Sequence, residues 1–203
     1  MIIGKWNRSV ILTYIGMVSA VFGIYFALGM QNINYAFCCL MLSGICDLFD
    51  GAVARKVKRT DEEKAFGVEL DSLVDVISFI VLPIVLFCAM GFVSVFHFIL
   101  YSVYAIAGIA RLAYFNIDTA DTQGPVKYYT GLPVTYVALI FPVIYLIRGF
   151  ISGNIFAAIY PATMALIAVF EVIRIKVIKP RGIAYVFFGL LAIAMLAIYL
   201  FVL

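Results

Sequence analysis

An all-α fold, a polytopic bundle of transmembrane helices, is what this chain predicts, and three observations carry the reading. Of its 203 residues 66% are hydrophobic and only 12% charged, with a mean hydropathy of +1.15, a balance suited to solvation by lipid rather than to a soluble core. Uncharged stretches run through 9–30, 32–46, 76–110, 132–147, 149–170 and 182–203, where a single span needs about 20 residues. Several acids gather at helical spacing near the ends of two apolar segments instead of scattering over a surface.

The first span, 9–29, follows Lys5 and Arg8 and carries no small-residue cleavage site, so it reads as an anchor and not as a removable leader. The second, 33–54, ends in an acid-bearing segment. Thr60-Asp-Glu-Glu then reads as the capped start of the third, 64–90, with Asp61, Glu62 and Glu63 compensating the helix dipole. The uncharged stretch 76–110 must be two spans broken around Met90-Gly91, because one helix of that length would run about 50 Å against a hydrocarbon core of about 30 Å. The fourth span is 94–115, and the fifth, 132–149, has Pro133 in its first turn; 154–174 and 183–203 complete the set. With no internal repeat, low-complexity stretch or linker, residues 1–203 read as one integral-membrane catalytic domain.

Threading these spans alternately puts every Lys and Arg except Arg148 on one side of the membrane, together with all eleven Asp and Glu residues. The positive-inside rule makes that side the cytoplasm. The expectation is a prokaryotic inner or cell membrane protein with its N-terminus and its acids facing the cytoplasm. A net charge of +3 without a basic run interleaved with aromatics excludes a nucleic-acid partner; cationic loops beside a bilayer attract anionic lipid head groups instead. Cys38, Cys39, Cys46 and Cys88 lie inside apolar spans with no metal spacing to the lone His97, and read as small buried hydrophobes.

The chemistry concentrates in Asp47-Leu-Phe-Asp50-Gly51-Ala-Val-Ala54-Arg55 and Gly67-Val-Glu-Leu-Asp71-Ser-Leu-Val-Asp75. Asp47, Asp50 and Ala54 share one helix face, and Gly67, Asp71 and Asp75 share another; Glu69 falls on a different face, outside the site. The short loop between the two helices makes them antiparallel neighbours, so the faces meet. Four carboxylates brought together repel one another. Hard divalent cations, Mg²⁺ or Mn²⁺, relieve that repulsion through oxygen ligands and are the usual device for handling phosphate esters. Two such ions about 3.5–4 Å apart stabilise both the attacking and the leaving oxygen of an in-line displacement. Gly51, Ala54 and Gly67 remove side-chain bulk where a nucleotide would lie, and Arg55 offers a planar donor fork to phosphate. A cation transporter is the competing class, but it needs carboxylates reachable from both sides, whereas every acid here threads to one.

The two segments resemble the signature of the CDP-alcohol phosphotransferase family, Asp-x2-Asp-Gly-x2-Ala-Arg followed by Gly-x3-Asp-x3-Asp, at Asp47, Asp50, Gly51, Ala54, Arg55, Gly67, Asp71 and Asp75. The resemblance implies a six-helix core, usually a homodimer, with 183–203 as an extra C-terminal span. It implies further that the acids hold two divalent cations against a CDP-linked donor, that the small residues and Arg55 contact CDP, and that Asp75 is the general base. Thr13 matches a nucleotide contact of the first helix, while Gly16 stands where many relatives place an asparagine. Two later segments, Arg111-Leu-Ala-Tyr-Phe-Asn116 and Gly131-Leu-Pro133, are similar to the phosphatidylserine synthase branch. That implies CDP-diacylglycerol and L-serine as substrates. A zwitterionic acceptor needs a cation for its carboxylate, here Arg111 and Lys127, and an acceptor for its ammonium, for which Asn116 or an unassigned carbonyl is available. Glycerol 3-phosphate or inositol phosphate stays open as the alcohol, since Arg111 with Lys127 would also suit a phosphate.

Overall fold

A computed structural model describes residues 4–120, 128–178 and 183–201; Lys127, Lys179 and Arg181 lie outside the described residues. Helix α1 (Ile11–Leu28) is entered through a 3₁₀ turn, Arg8–Val10, where the Asn7 side chain accepts the Ser9 amide at 2.7 Å. Helix α2 (Ile33–Ala54) starts at Asn32, whose Oδ1 accepts the Tyr35 amide at 3.0 Å. Helix α3 (Asp61–Asp75) begins at a reciprocal cap: Thr60 Oγ1 accepts the Glu63 amide at 3.2 Å and Glu63 Oε2 accepts the Thr60 amide at 2.8 Å. The cap satisfies amides that would otherwise be orphaned, and it stands where Thr60-Asp-Glu-Glu reads as a helix start, ahead of the span that begins near 64.

Helix α3 runs without a break through a π-helical turn, Val76–Val81, into α4 (Leu82–Ala89), giving one helix from Asp61 to Ala89. Pro83 supplies the physical reason. It has no amide hydrogen for the Phe79 carbonyl four residues earlier, and the buried Tyr104 hydroxyl donates to that carbonyl instead. The widened turn follows Asp75 directly. The helix ends at Gly91, whose φ of +93 supplies the left-handed turn that a side chain would strain.

Helix α5 (Val95–Ala120) extends past residue 115, the end expected from hydropathy, because its polar tip is tied down: Asn116 Nδ2 donates to Ser72 Oγ on α3 at 2.8 Å. Then come β1 (Tyr128–Thr130), α6 (Val137–Leu146) between 3₁₀ turns at Val134–Tyr136 and Ile147–Gly149, α7 (Gly153–Val172), β2 (Lys176–Ile178) and α8 (Ile183–Phe201). The strands pair antiparallel, Tyr129 opposite Val177, a ribbon too short to leave a two-residue period in the sequence.

Among the described residues five helices, Arg8–Leu28, Ile33–Ala54, Asp61–Ala89, Val95–Asp118 and Gly153–Val172, are long and apolar enough to cross a membrane; Val134–Gly149 and Val186–Phe201 are shorter apolar helices. Helix α1 lies along α2, α5 along α7, and α6 and α8 against α2. Ile11, Ile15, Val18, Phe22 and Tyr25 form an exposed apolar stripe on α1, a face that lipid satisfies and water does not. At the end of the bundle away from the acids the core is aromatic. Phe87 stacks on Tyr160 at 4.4 Å between ring centroids, Tyr160 stacks on Phe156 at 4.9 Å, and Phe37 meets Tyr145 at 4.8 Å. The Tyr199 hydroxyl donates to the Pro142 carbonyl at 2.7 Å, and Tyr101 to the Phe92 carbonyl at 2.6 Å, so the polar tips of these rings are paired.

Candidate active site

Hydroxyl bonds between α1 and α2 lead down to the acids. Ser19 Oγ donates to the Cys39 carbonyl at 2.9 Å, Ser43 Oγ to the Gly16 carbonyl at 2.8 Å, and Thr13 Oγ1 to Asp50 Oδ2 at 3.3 Å. At Gly16 an added Cβ would come within 3.2 Å of the Cys46 Cβ, so this glycine sets the close approach of the two helices. Gly44 does the same against α6, where a Cβ would fall 2.6 Å from that of Ala138.

Asp47 from α2 and Asp71 and Asp75 from α3 bring one carboxylate oxygen each within 4.8 Å of one another, with Asp75 buried. Asp50 lies beside Asp71 and the Arg55 charge, and with the other three it lines a cavity of about 350 Å³. Arg55, Gly51, Arg111 and Asn116 share that wall. Among the described residues the ion pairs are Lys5 with Glu62 at 2.6 Å and Lys64 with Asp61 at 2.8 Å, both at the surface; none reaches Asp47, Asp71 or Asp75. Clustered carboxylates that no ion pair neutralises among the described residues, presenting hard oxygen donors from two helices, fit divalent cations of the Mg²⁺ or Mn²⁺ kind.

Ala54 and Gly67 are not among the wall residues. A Cβ on Gly67 would lie 3.8 Å from an Arg59 guanidinium nitrogen, so that glycine opens toward Arg59. Thr13 touches the site through Asp50. Lys127 lies outside the described residues.

Arg111 is buried, and its surroundings are specific. Nε donates to the Leu132 carbonyl at 3.1 Å, and the guanidinium sits over the Phe115 ring at 4.9 Å and the Tyr129 ring at 5.8 Å from their centroids. The Gly131-Leu132 segment is held in turn by the end of α7 and the residues just after it: Leu132 N donates to the Phe170 carbonyl and Gly131 N to the Ile175 carbonyl, both at 2.9 Å. Gly131 has φ +76, and a Cβ there would fall 2.5 Å from the Glu171 carbonyl oxygen, so only glycine fits. Glu171 itself, buried near the end of α7, escaped the sequence reading, although an acid between Phe170 and Val172 in an apolar helix is the kind of costly placement that signals a role.

Beside Asp47 an apolar cavity opens between α2, α6 and α8, lined by Met41, Ile45, Leu139, Phe188 and Ala192. The acids thus stand at a junction between a polar chamber and an oily one.

A family model described as CDP-alcohol phosphatidyltransferase matches residues 6–173, which leaves α8 beyond the match. The chain is similar to the CDP-diacylglycerol–serine O-phosphatidyltransferase of Saccharomyces cerevisiae, 40% identical over 123 residues, 57% of this chain and 44% of that protein. It is 37% identical over 122 residues to the archaetidylserine synthase of Methanothermobacter thermautotrophicus, 60% of this chain and 50% of the relative. With the CDP-diacylglycerol–serine O-phosphatidyltransferase of Helicobacter pylori it shares 34% identity over 140 residues, 63% of this chain and 57% of the relative. These matches span about half the length of the relatives.

Proposed function

Because the chain belongs to the CDP-alcohol phosphatidyltransferase family, we propose that it is an integral membrane enzyme transferring a phosphatidyl group from CDP-diacylglycerol to L-serine, with release of CMP. The observation that carries the reading is the convergence of Asp47, Asp71 and Asp75 within 4.8 Å on a cavity that Arg111 and Asn116 also line. The names of the relatives support the choice of serine. The apolar cavity beside Asp47 supports a lipid-linked donor, since acyl chains lying between α2, α6 and α8 leave the head group at the acids.

Asp47, Asp50, Asp71 and Asp75 are the residues that would hold two divalent cations. When bound, the cations supply Lewis-acid stabilisation of the negative charge that builds on the phosphate oxygens. Arg55 adds donors for the pyrophosphate at the cavity wall, and Gly51 leaves room for the nucleotide on the same face. Arg111, fixed by the Leu132 carbonyl and by two aromatic rings, presents a preoriented cation for the serine carboxylate. Asp75, at the buried end of the cluster, takes the proton from the serine hydroxyl as its oxygen bonds to the phosphorus of the phosphatidyl group. The bond from that phosphorus to the bridging oxygen breaks, and CMP departs with the electron pair. We read the acids as facing the cytoplasm, where CDP-activated head groups and free serine meet, and the working unit as a homodimer.

The test is CMP release by purified protein in lipid micelles with Mn²⁺ or Mg²⁺ and CDP-diacylglycerol. Serine is expected to support turnover, and glycerol 3-phosphate and inositol phosphate are not. Turnover with either phosphate in place of serine rejects the acceptor and keeps the class; transport of divalent cations by proteoliposomes without CMP release rejects both.

A further inference from the structure

Two buried ionisable residues, one on α5 and one near the end of α7, line a common space without forming an ion pair. Glu171 is 3% exposed and Arg111 6%. Both carboxylate oxygens of Glu171 and one terminal guanidinium nitrogen of Arg111, Nη2, are buried without a hydrogen-bond partner. The two residues line a cavity of about 250 Å³ together with Thr130, Gly131 and Tyr114. They are close enough to interact electrostatically, yet no ion pair joins them. Burying an ionisable group without a partner is unfavourable, and two of opposite sign lining one space are together complementary to a ligand that carries both charges.

The backbone holds this arrangement firmly. A Cβ on Gly108, one turn before Arg111 on α5, would lie 3.6 Å from Glu171 Oε2, so the carboxylate sits along the same helix face as the guanidinium. The segment that anchors Arg111 through the Leu132 carbonyl is the one clamped to the Phe170 and Ile175 carbonyls on either side of Glu171. Arg111 also lines the chamber that contains Asp75. Arg111 therefore lines both the chamber of the reacting carboxylates and the Glu171 cavity.

A lone cation entering this space would satisfy Glu171 and leave Arg111 unpaired; a lone anion would do the reverse. A phosphate-bearing alcohol would pair with Arg111 and be repelled by Glu171. An α-amino acid carries both complementary charges on one carbon. We propose that Glu171 is the specificity-determining residue for the acceptor: its carboxylate receives the ammonium of the amino acid while Arg111 holds the carboxylate, and the hydroxyl is left to reach Asp75. The inference rests on serine being the acceptor, and it assigns to Glu171 the ammonium contact for which the sequence offered Asn116 or a carbonyl.

Removing the ammonium from the substrate and the charge from the protein provides the test. KM and kcat are measured for L-serine, and KM or competitive Ki for 3-hydroxypropanoate, which is serine without its ammonium, with wild type, Glu171→Gln and Glu171→Asp. Glu171→Gln is expected to raise KM for serine about ten-fold or more, in line with loss of a buried charge-assisted hydrogen bond, with kcat within about three-fold. The constant for 3-hydroxypropanoate is expected to stay unchanged or improve, and Glu171→Asp to recover part of the serine affinity. Equal losses for both ligands would reduce Glu171 to a support for Arg111 and overturn the proposal, as would an unchanged KM for serine. Wild type needs no refolding control: binding of 3-hydroxypropanoate as tight as that of serine also overturns it. Turnover with a phosphate-bearing alcohol and none with serine would instead remove the acceptor assignment beneath it.

Discussion

The two ends of this bundle solve opposite problems with the same helices. At the aromatic end Phe87, Phe141, Tyr160 and Phe37 are fully buried, and the hydroxyls of Tyr101 and Tyr199 reach backbone carbonyls. At the acidic end Asp47, Asp71 and Asp75 crowd together, Arg111 keeps an unpaired nitrogen and Glu171 two unpaired oxygens. The first end supplies stability, and the second gathers buried ionisable groups that no ion pair joins among the described residues. Binding sites are preorganised at a cost in stability, and here the helices α2, α3 and α4, anchored at the aromatic end, carry that cost.

The largest expected effect tests whether the acidic end is for chemistry. Asp75→Asn should lower CMP release roughly 10²–10⁴-fold, the usual contribution of a positioned acid–base group, while the purified protein without divalent cation melts no lower than wild type. A variant that loses activity only because it unfolds would erase the contrast. Phe87→Ala reverses the pattern. Deleting a ring that stacks on Tyr160 at 4.4 Å and meets Phe141 at 5.2 Å should destabilise by about 3–5 kcal/mol, read by thermal unfolding in detergent, with KM for serine unchanged in the folded fraction.

Smaller effects sharpen the boundary between the two. Gly131→Ala forces a side chain into a left-handed backbone and against the Glu171 carbonyl, so it should cost about 1–3 kcal/mol and raise KM for serine by displacing the Leu132 carbonyl from Arg111. Least of all, Thr60→Ala removes one half of the α3 cap for about 1 kcal/mol, with turnover per folded molecule unaffected because the cap lies a full 15-residue helix from Asp75.

The acids were readable in the sequence because their cost in an apolar helix is so high that spacing alone places them on two facing surfaces. The helices were readable for the same reason that lipid is a simple solvent: long uncharged runs have few alternatives. What could not be read depends on contacts across the fold. The π-helical turn after Asp75 needs Pro83 and the Tyr104 hydroxyl together, and these are far apart in the chain. The β1–β2 ribbon is held by three pairings between segments nearly fifty residues apart. Glu171 stands out only once α5 and α7 pack and bring it beside Arg111. Asn116, assigned to the acceptor ammonium from its place in the Arg111 segment, turns toward α3 and donates to Ser72, although it still lines the chamber.

The measurement that bears most directly on the central idea is the unfolding temperature of the purified protein titrated with Mn²⁺ and then with excess chelator, for wild type and for Asp71→Asn. If Asp47, Asp71 and Asp75 share divalent cations, wild type gains stability with Mn²⁺ in a saturable way and loses it to the chelator, and Asp71→Asn shows little of either. A wild-type melting curve indifferent to both additions, or an Asp71→Asn variant that responds as wild type does, would contradict the account.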